Sequence, residues 1–591
     1  MQTNNKQLIQ NSSFLHKVSV KYIFASSLAM LAVFAGALID TIIVGAFLGE
    51  EGLSAMSLVS PVYLIYFTVG AVIGIGGSVA GSHLIGKGDF YNYRRIFTCS
   101  LLFMLVLAIV MTAVGLIFLD HLAALLSGKD GNVDLVREYL RYYIMGGGFT
   151  LLAYIPLYFL KTDGRPRASS ILFFVYTVLN VVLTWLFMSP AFDMGIGGAA
   201  LATAISMCVT AVCGFLLLFD GKGETRPAAG GITGINLRSI LVMGIPSGLA
   251  NLLEALRIYL INILLLYIGA AAFLPVFTVV RNVLDLLNAL MIGISSALLP
   301  LISVFFSEHD YRSTRMVFKS VLRIGLITTA VLSLVFSLFP SAVASMFGIN
   351  DMKIIDEIRY ALPLACVGSL LAFVNIQLTG YFNTIQRIGL SNLILSFRLI
   401  IYLALSAIIL GTEVGTPGIW VSFTVTEVLT ILTFLLIRLR LRKKAGDLDA
   451  FLLDTGKEQA ADITFSVQNN VDDIMFASNK ITDFCEENDI PIKMAMKVSL
   501  AIEEILTVII MKCMDADKIS YIDIRLQKQD DRVMLRVRNA GHIFNPIQYY
   551  EENKEKEALA DELLGLKIVL GSCQSIDFRK TFGVNNLLIV F

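Results

Sequence analysis

The chain has 591 residues, of which 56% are hydrophobic and 16% are charged, and its mean hydropathy is +0.75. This composition excludes an ordinary soluble globular protein. The 46 Lys and Arg residues balance the 46 Asp and Glu residues, so the net charge gives no argument for a nucleic-acid partner. The seven cysteines are scattered without a CxxC pair, which predicts packing residues and no metal site.

Hydrophobic runs separated by polar breaks predict twelve membrane helices. The expected spans are residues 20–47, 53–83, 93–118, 135–160, 168–189, 197–219, 238–268, 273–305, 316–338, 356–383, 389–410 and 418–438. Lys and Arg residues concentrate in alternate loops, which the positive-inside rule places in the cytoplasm. With an even number of spans, both termini are then expected in the cytoplasm, in a multi-pass protein of the plasma membrane.

The first span contains a single charged residue, Asp40, in the run from Tyr22 to Leu48. A carboxylate inside a membrane costs roughly 3 kcal/mol, so it normally faces a cavity, pairs with another group or takes up a proton. We therefore expect Asp40 to have a functional role in ion coupling. The alternative is a capped or snorkelling Asp near the outer end of the helix, because Gly45 and Gly49 follow closely.

The two halves of the membrane part share landmarks that are separated by 220 to 223 positions. They are Asp89–Phe97 with Asp310–Phe318, Tyr158–Phe159 with Tyr381–Phe382, Gly49 with Gly269, Gly195 with Gly415, and Gly198 with Gly418. Because six is an even number, a duplicated six-helix unit enters the membrane with the same orientation. The spacing therefore predicts two parallel six-helix repeats that rock about a central cleft.

Several short segments of residues 17 to 442 resemble the multidrug and toxic compound extrusion (MATE) family. They are Asp40–Gly45, Gly74–Gly77, Gly86–Asp89, Gly244–Ser247, Leu299–Ser303 and Gly380–Phe382. The resemblance implies a V-shaped, two-lobe, all-α fold. It also implies a secondary active efflux antiporter that exports cationic or amphipathic compounds, xenobiotics among them, in exchange for H⁺ or Na⁺.

The family's ion-coupling positions are only partly retained in this chain. Asp40 matches the acid of the first span. In the fifth span the family often has Asn-x-x-x-Asp, whereas this chain keeps Asn180 and has Thr184 in place of the acid. The two side chains lie one helical turn apart and could act with Asp40. Glu254 matches a further acidic position of the family, and its alternative role is to compensate the charge of Arg257 on the same helix face.

Two more pairs of opposite charge lie in the second half of the membrane part. Arg281 and Asp285 form an i,i+4 pair, for which structural and functional roles are both open. Arg398 and Glu427 could pair across the helix bundle. With Arg257, these arginines keep open an alternative function, a flippase for lipid-linked sugars, which would suit a cationic cleft.

Changes in composition divide the chain into six segments. They are a cytoplasmic leader (1–18), an amino lobe (19–220), an inter-lobe loop (221–236), a carboxyl lobe (237–442), a linker (443–461) and a cytoplasmic domain (462–591). In the last segment, alternating and amphipathic patterns predict five strands (463–467, 521–527, 532–538, 575–579 and 586–590) and three helices (471–487, 493–513 and 561–571). This order predicts an α+β sandwich.

Three segments of this domain, Leu500–Thr507, Asn539–Pro546 and Leu564–Val569, resemble the histidine-kinase/Hsp90-like ATPase fold, closest to anti-sigma-factor serine kinases. The resemblance implies a nucleotide-like pocket.

The corresponding pocket residues are Glu504, Asn539, Gly541 and Gly565. Three positions depart from the family: Val508 stands where an Asn holds Mg²⁺, Asn539 stands where an Asp reads adenine, and Leu563 replaces the first phosphate-side Gly. We therefore expect no certain cofactor and a degenerate domain that regulates the chain or binds a cytoplasmic regulatory protein. ATP binding by a membrane-tethered serine kinase or signalling protein is the alternative.

Overall fold

The structure is a computed structural model. It describes residues 12–86, 89–128, 132–163, 165–220, 223, 225–228, 234–308, 310–445, 448–449, 451–453, 461–514, 520–529, 532–539, 541–542, 544–555, 560–581 and 584–591. Most of the predicted leader, half of the inter-lobe loop and just over half of the linker lie outside the described residues.

The amino lobe consists of long apolar helices. They are α1 (Ser12–Gly86), α2 (Phe90–Ile117), α3 (Leu119–Ser127), α4 (Val133–Thr162), α5 (Pro166–Met188) and α6 (Gly195–Leu218). Helix α1 contains both the first and the second predicted span. Its backbone leaves the helical conformation at Gly49, where φ is 59° and ψ is −141°, a conformation that a residue without Cβ adopts at little cost.

The carboxyl lobe repeats this pattern with some interruptions. Its helices are α7 (Gly234–Tyr267), α8 (Leu274–Ser307), α9 (Tyr311–Leu338), α10 (Pro340–Met346), α11 (Met352–Thr384), α12 (Ile388–Ser396), α13 (Tyr402–Val414) and α14 (Thr416–Ala445). The predicted eleventh span is formed by α12 and α13, which are joined by a π-helical segment, Phe397–Ile401. The sequence did not predict the short helices α3 and α10.

Within the described residues, eleven helical stretches are long and apolar enough to cross a membrane. The sequence predicted twelve. The counts differ because the first stretch, Phe34–Ser82, is 49 residues long and contains parts of two predicted spans. Chains with this many apolar helices are multi-pass membrane proteins.

Close backbone contacts join the two lobes along the second half of α1. A Cβ at Gly244 of α7 would lie 1.9 Å from the carbonyl oxygen of Val72, and a Cβ at Gly76 would lie 2.1 Å from that of Ile240. Nearer to Gly49, Nδ2 of the Asn262 side chain on α7 donates to the Ser57 carbonyl at 2.7 Å. The glycines are required here because a side chain would hold the helices apart.

Landmarks of the predicted repeat have matching local geometry. Asp89 accepts a hydrogen bond from the Asn92 amide at the start of α2, and Asp310 accepts one from the Ser313 amide at the start of α9. The two caps have φ and ψ of −89° and 72°, and of −88° and 71°. Gly49 and Gly269 both have positive φ, at 59° and 70°.

The C-terminal domain is a five-stranded antiparallel sheet in the order β1-β2-β3-β5-β4. Its elements are β1 (Asp462–Gln468), α15 (Val471–Glu487), α16 (Ile492–Cys513), β2 (Tyr521–Gln529), β3 (Arg532–Asn539), α17 (Pro546–Asn553), α18 (Ala560–Ser572), β4 (Ser575–Thr581) and β5 (Val584–Val590). All except α17 lie within two residues of the predicted bounds.

The two faces of this sheet differ because side chains alternate along each strand. One face packs on α15, α16 and α18 through fully buried residues such as Ile524, Leu535 and Ile589. The other face is polar. It bears Asp523, Arg525, Arg536, Arg538 and Asn586, and it lies against the loop between α8 and α9.

Candidate functional site

Asp40 lies inside the amino lobe and is 9% exposed. The hydroxyl of Thr184 on α5, which is fully buried, donates a hydrogen bond to Asp40 Oδ1 at 2.6 Å. Among the residues that the structure describes, no basic side chain forms an ion pair with Asp40. Asp40 is therefore buried against α5, and no described cation pairs with it.

The contact between α1 and α5 depends on Gly36, one turn before Asp40. A Cβ at residue 36 would lie 2.3 Å from Cγ2 of Thr177, so glycine lets the two helices approach. Thr177 and Thr184 are two turns apart on one face of α5, which brings Asp40 beside Thr184. The sequence analysis did not use Gly36, although a glycine four residues before an intramembrane acid is a readable signal.

Asn180 lies on the same face of α5 but bonds to a different helix. Its Nδ2 donates to Oγ1 of Thr203 on α6 at 3.0 Å, and both residues are buried. The predicted group of Asp40, Asn180 and Thr184 thus occupies one region of the amino lobe, and within it only Thr184 hydrogen-bonds Asp40.

Three tyrosines interact electrostatically with this carboxylate. Tyr63, Tyr139 and Tyr176 are within electrostatic range of Asp40. The rings of Tyr139 and Tyr143 stack with centroids 5.9 Å apart, and Tyr63 meets Tyr143 edge-on at 6.1 Å. No aromatic residue was predicted to be part of this site. The available signal was the pair of tyrosines one turn apart on α4.

In the carboxyl lobe, Glu254 forms an ion pair with Arg257. Arg257 Nη2 donates to Glu254 Oε1, and Arg257 is 9% exposed. The pair lies within one turn of α7. Of the two roles that the sequence left open for Glu254, the geometry matches charge compensation.

The other predicted pairs differ strongly in geometry. Arg398 Nε, in the π-helical segment, donates to Glu427 Oε1 on α14 at 2.7 Å, so this pair does cross the bundle. Asn375 Nδ2 on α11 donates to the other oxygen of Glu427 at 2.7 Å. In contrast, Arg281 Nε and Asp285 Oδ2 are 3.9 Å apart, and 39% of the Asp285 side chain is exposed.

These residues form one electrostatic cluster, which we call the carboxyl-lobe cluster. It consists of Glu254, Arg257, Arg281, Asp285, Arg398 and Glu427, three cations against three carboxylates. Arg257 interacts electrostatically with Asp285 and Glu427 as well as with its neighbour Glu254. Tyr63 of the amino lobe interacts electrostatically with Asp40 and also with Arg281 and Asp285. Asp40 and the carboxyl-lobe cluster therefore share Tyr63 as a neighbour.

In the C-terminal domain, the residues predicted for a nucleotide-like pocket lie in two groups. Glu504 on α16 packs against Gly565 on α18, where a Cβ would lie 1.8 Å from Glu504 Oε2. Val508, one turn after Glu504, is 3% exposed. An apolar side chain at this position supplies no oxygen ligand for Mg²⁺.

The second group is a closed hydrogen-bond network around Asn539, which is 2% exposed. Its Oδ1 accepts from the amide of Gly541 at 3.1 Å and from Asn585 Nδ2 at 3.0 Å, and the Cys513 thiol donates to it at 3.1 Å. Burial raises the pKa of the Cys513 thiol to about 11, so the thiol stays a donor at neutral pH. The oxygen of Asn539 is fully used, and these residues do not fit a magnesium nucleotide.

Comparison with known proteins places the membrane part in a family. The sequence model of the MatE family matches residues 25–186 and 246–408, more than half of the chain. A FAD transporter of Shewanella oneidensis is 25% identical over 410 residues, which are 68% of this chain and 89% of the relative.

Two further proteins agree with this match. The multidrug export protein MepA of Staphylococcus aureus is 25% identical over 396 residues, 66% of this chain and 86% of MepA. A solved structure described as the inward-facing conformation of a multidrug resistance MATE family transporter of the MOP superfamily superposes with a TM-score of 0.66. It is 23% identical and covers 72% of this chain and 98% of its own length.

The Arg398–Glu427 and Arg281–Asp285 pairs are expected to differ in their contribution to stability. Thermal unfolding of the purified protein in detergent measures this difference. Glu427→Gln is expected to lower the free energy of unfolding by about 3 kcal/mol or more, because it leaves Arg398 buried without a counter-charge. Asp285→Asn is the matched control and should cost less than Glu427→Gln, because the Arg281–Asp285 pair is 3.9 Å apart, 39% of the Asp285 side chain is exposed, and Arg281 keeps the electrostatic attraction of Glu254. Equal losses in the two variants would contradict the distinction.

Proposed function

The chain belongs to the MATE family of membrane transporters, and from that premise we propose that it exports amphipathic, mainly cationic compounds in exchange for H⁺ or Na⁺. Members of this family are transporters and not enzymes. The observation that supports the proposal is the environment of Asp40. A buried carboxylate with only a hydroxyl as its described hydrogen-bond partner needs a mobile positive charge to neutralise it.

Each residue of the amino-lobe site has a distinct role in the proposed ion coupling. Asp40 holds a proton or Na⁺ in one conformation and releases it when the cationic cargo arrives. Thr184 orients the carboxylate through its 2.6 Å hydrogen bond. Asn180 and its partner Thr203 hold α5 on α6. Because Glu254 is paired with Arg257, we assign the coupling to Asp40 alone.

The proposed cargo class is based on the side chains near Tyr63, which are the tyrosines and hydroxyls near Asp40 and the charged residues of the carboxyl-lobe cluster. Rings and hydroxyls around Asp40 suit a flat, amphipathic cation. The names of the two relatives, a FAD transporter and a multidrug export protein, describe different cargoes. An amphipathic organic cation is the class that the amino-lobe site favours.

We further propose that α1 crosses the membrane twice, with its turn at Gly49, which gives twelve spans in two parallel repeats. The matching caps at Asp89 and Asp310, and the matching backbone at Gly49 and Gly269, support a duplicated unit. By the positive-inside rule, residues 443–591 lie in the cytoplasm of a cell whose plasma membrane contains the protein.

The alternatives from the sequence are less well supported. A flippase for lipid-linked sugars would suit a cationic cleft, but each arginine of the carboxyl-lobe cluster has a carboxylate partner. A serine kinase needs Mg²⁺ and phosphate contacts, which Val508 and Leu563 do not provide. For the C-terminal domain we propose a degenerate ATPase-like fold that regulates the transporter or binds a cytoplasmic protein.

Transport by Asp40→Asn tests the export proposal. In everted membrane vesicles with an imposed H⁺ or Na⁺ gradient, uptake of a fluorescent organic cation by this variant should fall to the background level, at least about tenfold below wild type, because an amide cannot exchange a charge. Thr184→Val should give intermediate rates, because it removes only the orienting hydrogen bond.

The matched control is Asp134→Asn, whose carboxylate is 89% exposed in an ion pair with Arg137. It should transport at the wild-type rate. Gradient-driven uptake by Asp40→Asn at the wild-type rate, with both variants expressed equally, would rule out the coupling role.

Phosphate release tests the proposed degeneracy of the C-terminal domain. Full-length protein in detergent with Mg²⁺ and ATP should release phosphate no faster than Glu504→Ala, because Val508 supplies no metal ligand and Asn539 Oδ1 is already bonded. Turnover that Glu504→Ala abolishes would restore the kinase or ATPase alternative.

A further inference from the structure

The contact between the C-terminal domain and the carboxyl lobe is not explained by transport or by the nucleotide-like pocket. On the membrane side, it is formed by Glu308 and Asp310, in the loop between the end of α8 at Ser307 and the start of α9 at Tyr311. On the other side is the polar face of the sheet.

Arg538 of β3 is the centre of this contact. It is 2% exposed, and its Nη1 lies 2.9 Å from Asp310 Oδ2 and 3.3 Å from Asp523 Oδ2. Its Nη2 donates to Glu308 Oε2. The guanidinium also lies over the ring of Phe305 in α8, at 4.7 Å from the centroid. A planar guanidinium with several donors is suited to bridging carboxylates in this way.

Neighbouring residues complete the contact on the same loop. Arg536 Nη1 lies 2.7 Å from Glu308 Oε1, and Asn586 Nδ2 donates to that oxygen at 2.8 Å. Arg525 Nη1 donates to the backbone carbonyl of Glu308 at 3.1 Å. Buried charges persist only when they are paired and hydrogen-bonded, so this face of the sheet is chemically matched to an acidic segment.

The tether of the domain is fixed to the same lobe. Asp449 accepts a hydrogen bond from Arg315 of α9 at 2.9 Å, and the hydroxyl of Tyr381 on α11 donates to the carbonyl of Phe451 at 3.1 Å. Strand β2 also contacts α1, which belongs to the amino lobe. The domain is thus bonded to one lobe and in contact with the other.

We propose that the acidic α8–α9 loop is a binding site for the polar face of the C-terminal sheet, and that the bound domain slows the movement of the carboxyl lobe during transport. The polar face is defined by Asp523, Arg525, Arg536, Arg538 and Asn586. The second half of the proposal rests on the proposed function, since alternating access requires the two lobes to move relative to each other. A domain in contact with both lobes adds bonds that must break or stretch in that movement.

The carboxylates in the contact have opposite electrostatic roles. Burial opposes ionisation of Asp310, but the charges of Arg538 and Arg525 and the Ser313 amide outweigh burial and lower its pKa. Burial raises the pKa of Asp523 to about 6, against the attraction of Arg538. Asp310 therefore favours the bound state as an anion, whereas ionised Asp523 opposes it.

Cleavage of the linker measures the binding directly. A protease site is inserted within residues 454–460 of the full chain, the purified protein is cut in detergent, and the fraction of the C-terminal fragment that co-elutes with the membrane part is measured. Wild-type fragment should stay bound. Glu308→Gln with Asp310→Asn should reduce the bound fraction about tenfold or more, and Asn retains the helix cap at residue 310.

The same loss is expected from the opposite side of the contact, with Arg536→Gln and Arg538→Gln. Arg579→Gln is the matched control, because this arginine is on the same domain, pairs with Asp577 and is 74% exposed. It should leave the fragment bound. Retention of the fragment in both pairs of variants would overturn the assignment of the binding site.

The restraint is tested with the uncut variants in the vesicle assay. Both pairs should transport the organic cation faster than wild type, about twofold or more if the domain slows lobe movement. Wild-type or slower transport by variants that release the fragment would overturn the restraint. Co-elution is measured without transport, so failure of the export proposal does not affect the binding result.

Removing the charge of Asp523 should strengthen binding of the domain, whereas removing the charges of Glu308 and Asp310 should weaken it. Asp523→Asn keeps an acceptor for Arg538 but removes the negative charge that repels Asp310, so the fragment should stay bound at higher salt than wild type. Wild-type binding should strengthen as the pH falls from about 7.5 to about 5.5, because Asp523 takes up a proton near pH 6. Weaker binding by Asp523→Asn, or at the lower pH, would contradict this electrostatic account.

Discussion

A charge inside a membrane protein must be neutralised, and the two lobes meet this requirement differently. In the carboxyl lobe, each arginine has a carboxylate within its own cluster, and the pair of Arg398 and Glu427 is held at 2.7 Å. In the amino lobe, Asp40 has a hydroxyl as its described partner. A fixed counter-charge keeps the net charge of the carboxyl-lobe cluster constant, whereas an acid with no described counter-charge can bind and release a cation. This asymmetry is the physical basis of the proposed coupling.

The same requirement explains how a soluble domain is attached to a transporter. Arg538 is buried and bonds to carboxylates of two different structural units, Asp310 of the membrane part and Asp523 of the sheet. Such a contact is specific because undocking would leave its charged groups without their partners. Helices cover the apolar face of this sheet, so its polar face is the one that contacts the membrane part. Because that face bears three arginines, a partner with carboxylates neutralises their charge.

The sequence was sufficient to predict the long helices and the five strands, but not the short helices α3, α10 and α17. Runs of apolar residues gave the long helices, and alternation gave all five strands, because local periodicity encodes both. The family resemblance, drawn from short segments such as Asp40–Gly45, is confirmed by the match over residues 25–186 and 246–408. Periodicity did not separate the two spans of α1 from a continuous helix. That distinction depends on the backbone at Gly49, where glycine permits a break without requiring one.

The sequence by itself determined which residues were chemically unusual: Asp40 in an apolar helix, three arginines with matching acids, and Val508 in place of a metal ligand. Only the tertiary structure decided their partners. It placed Thr184 on Asp40, Asn180 on Thr203, Asn375 on Glu427, and Arg538 on a loop 228 residues away. The reason is physical. Composition and periodicity depend on neighbours in the chain, whereas the cost of a buried charge depends on groups that only packing brings within hydrogen-bonding distance.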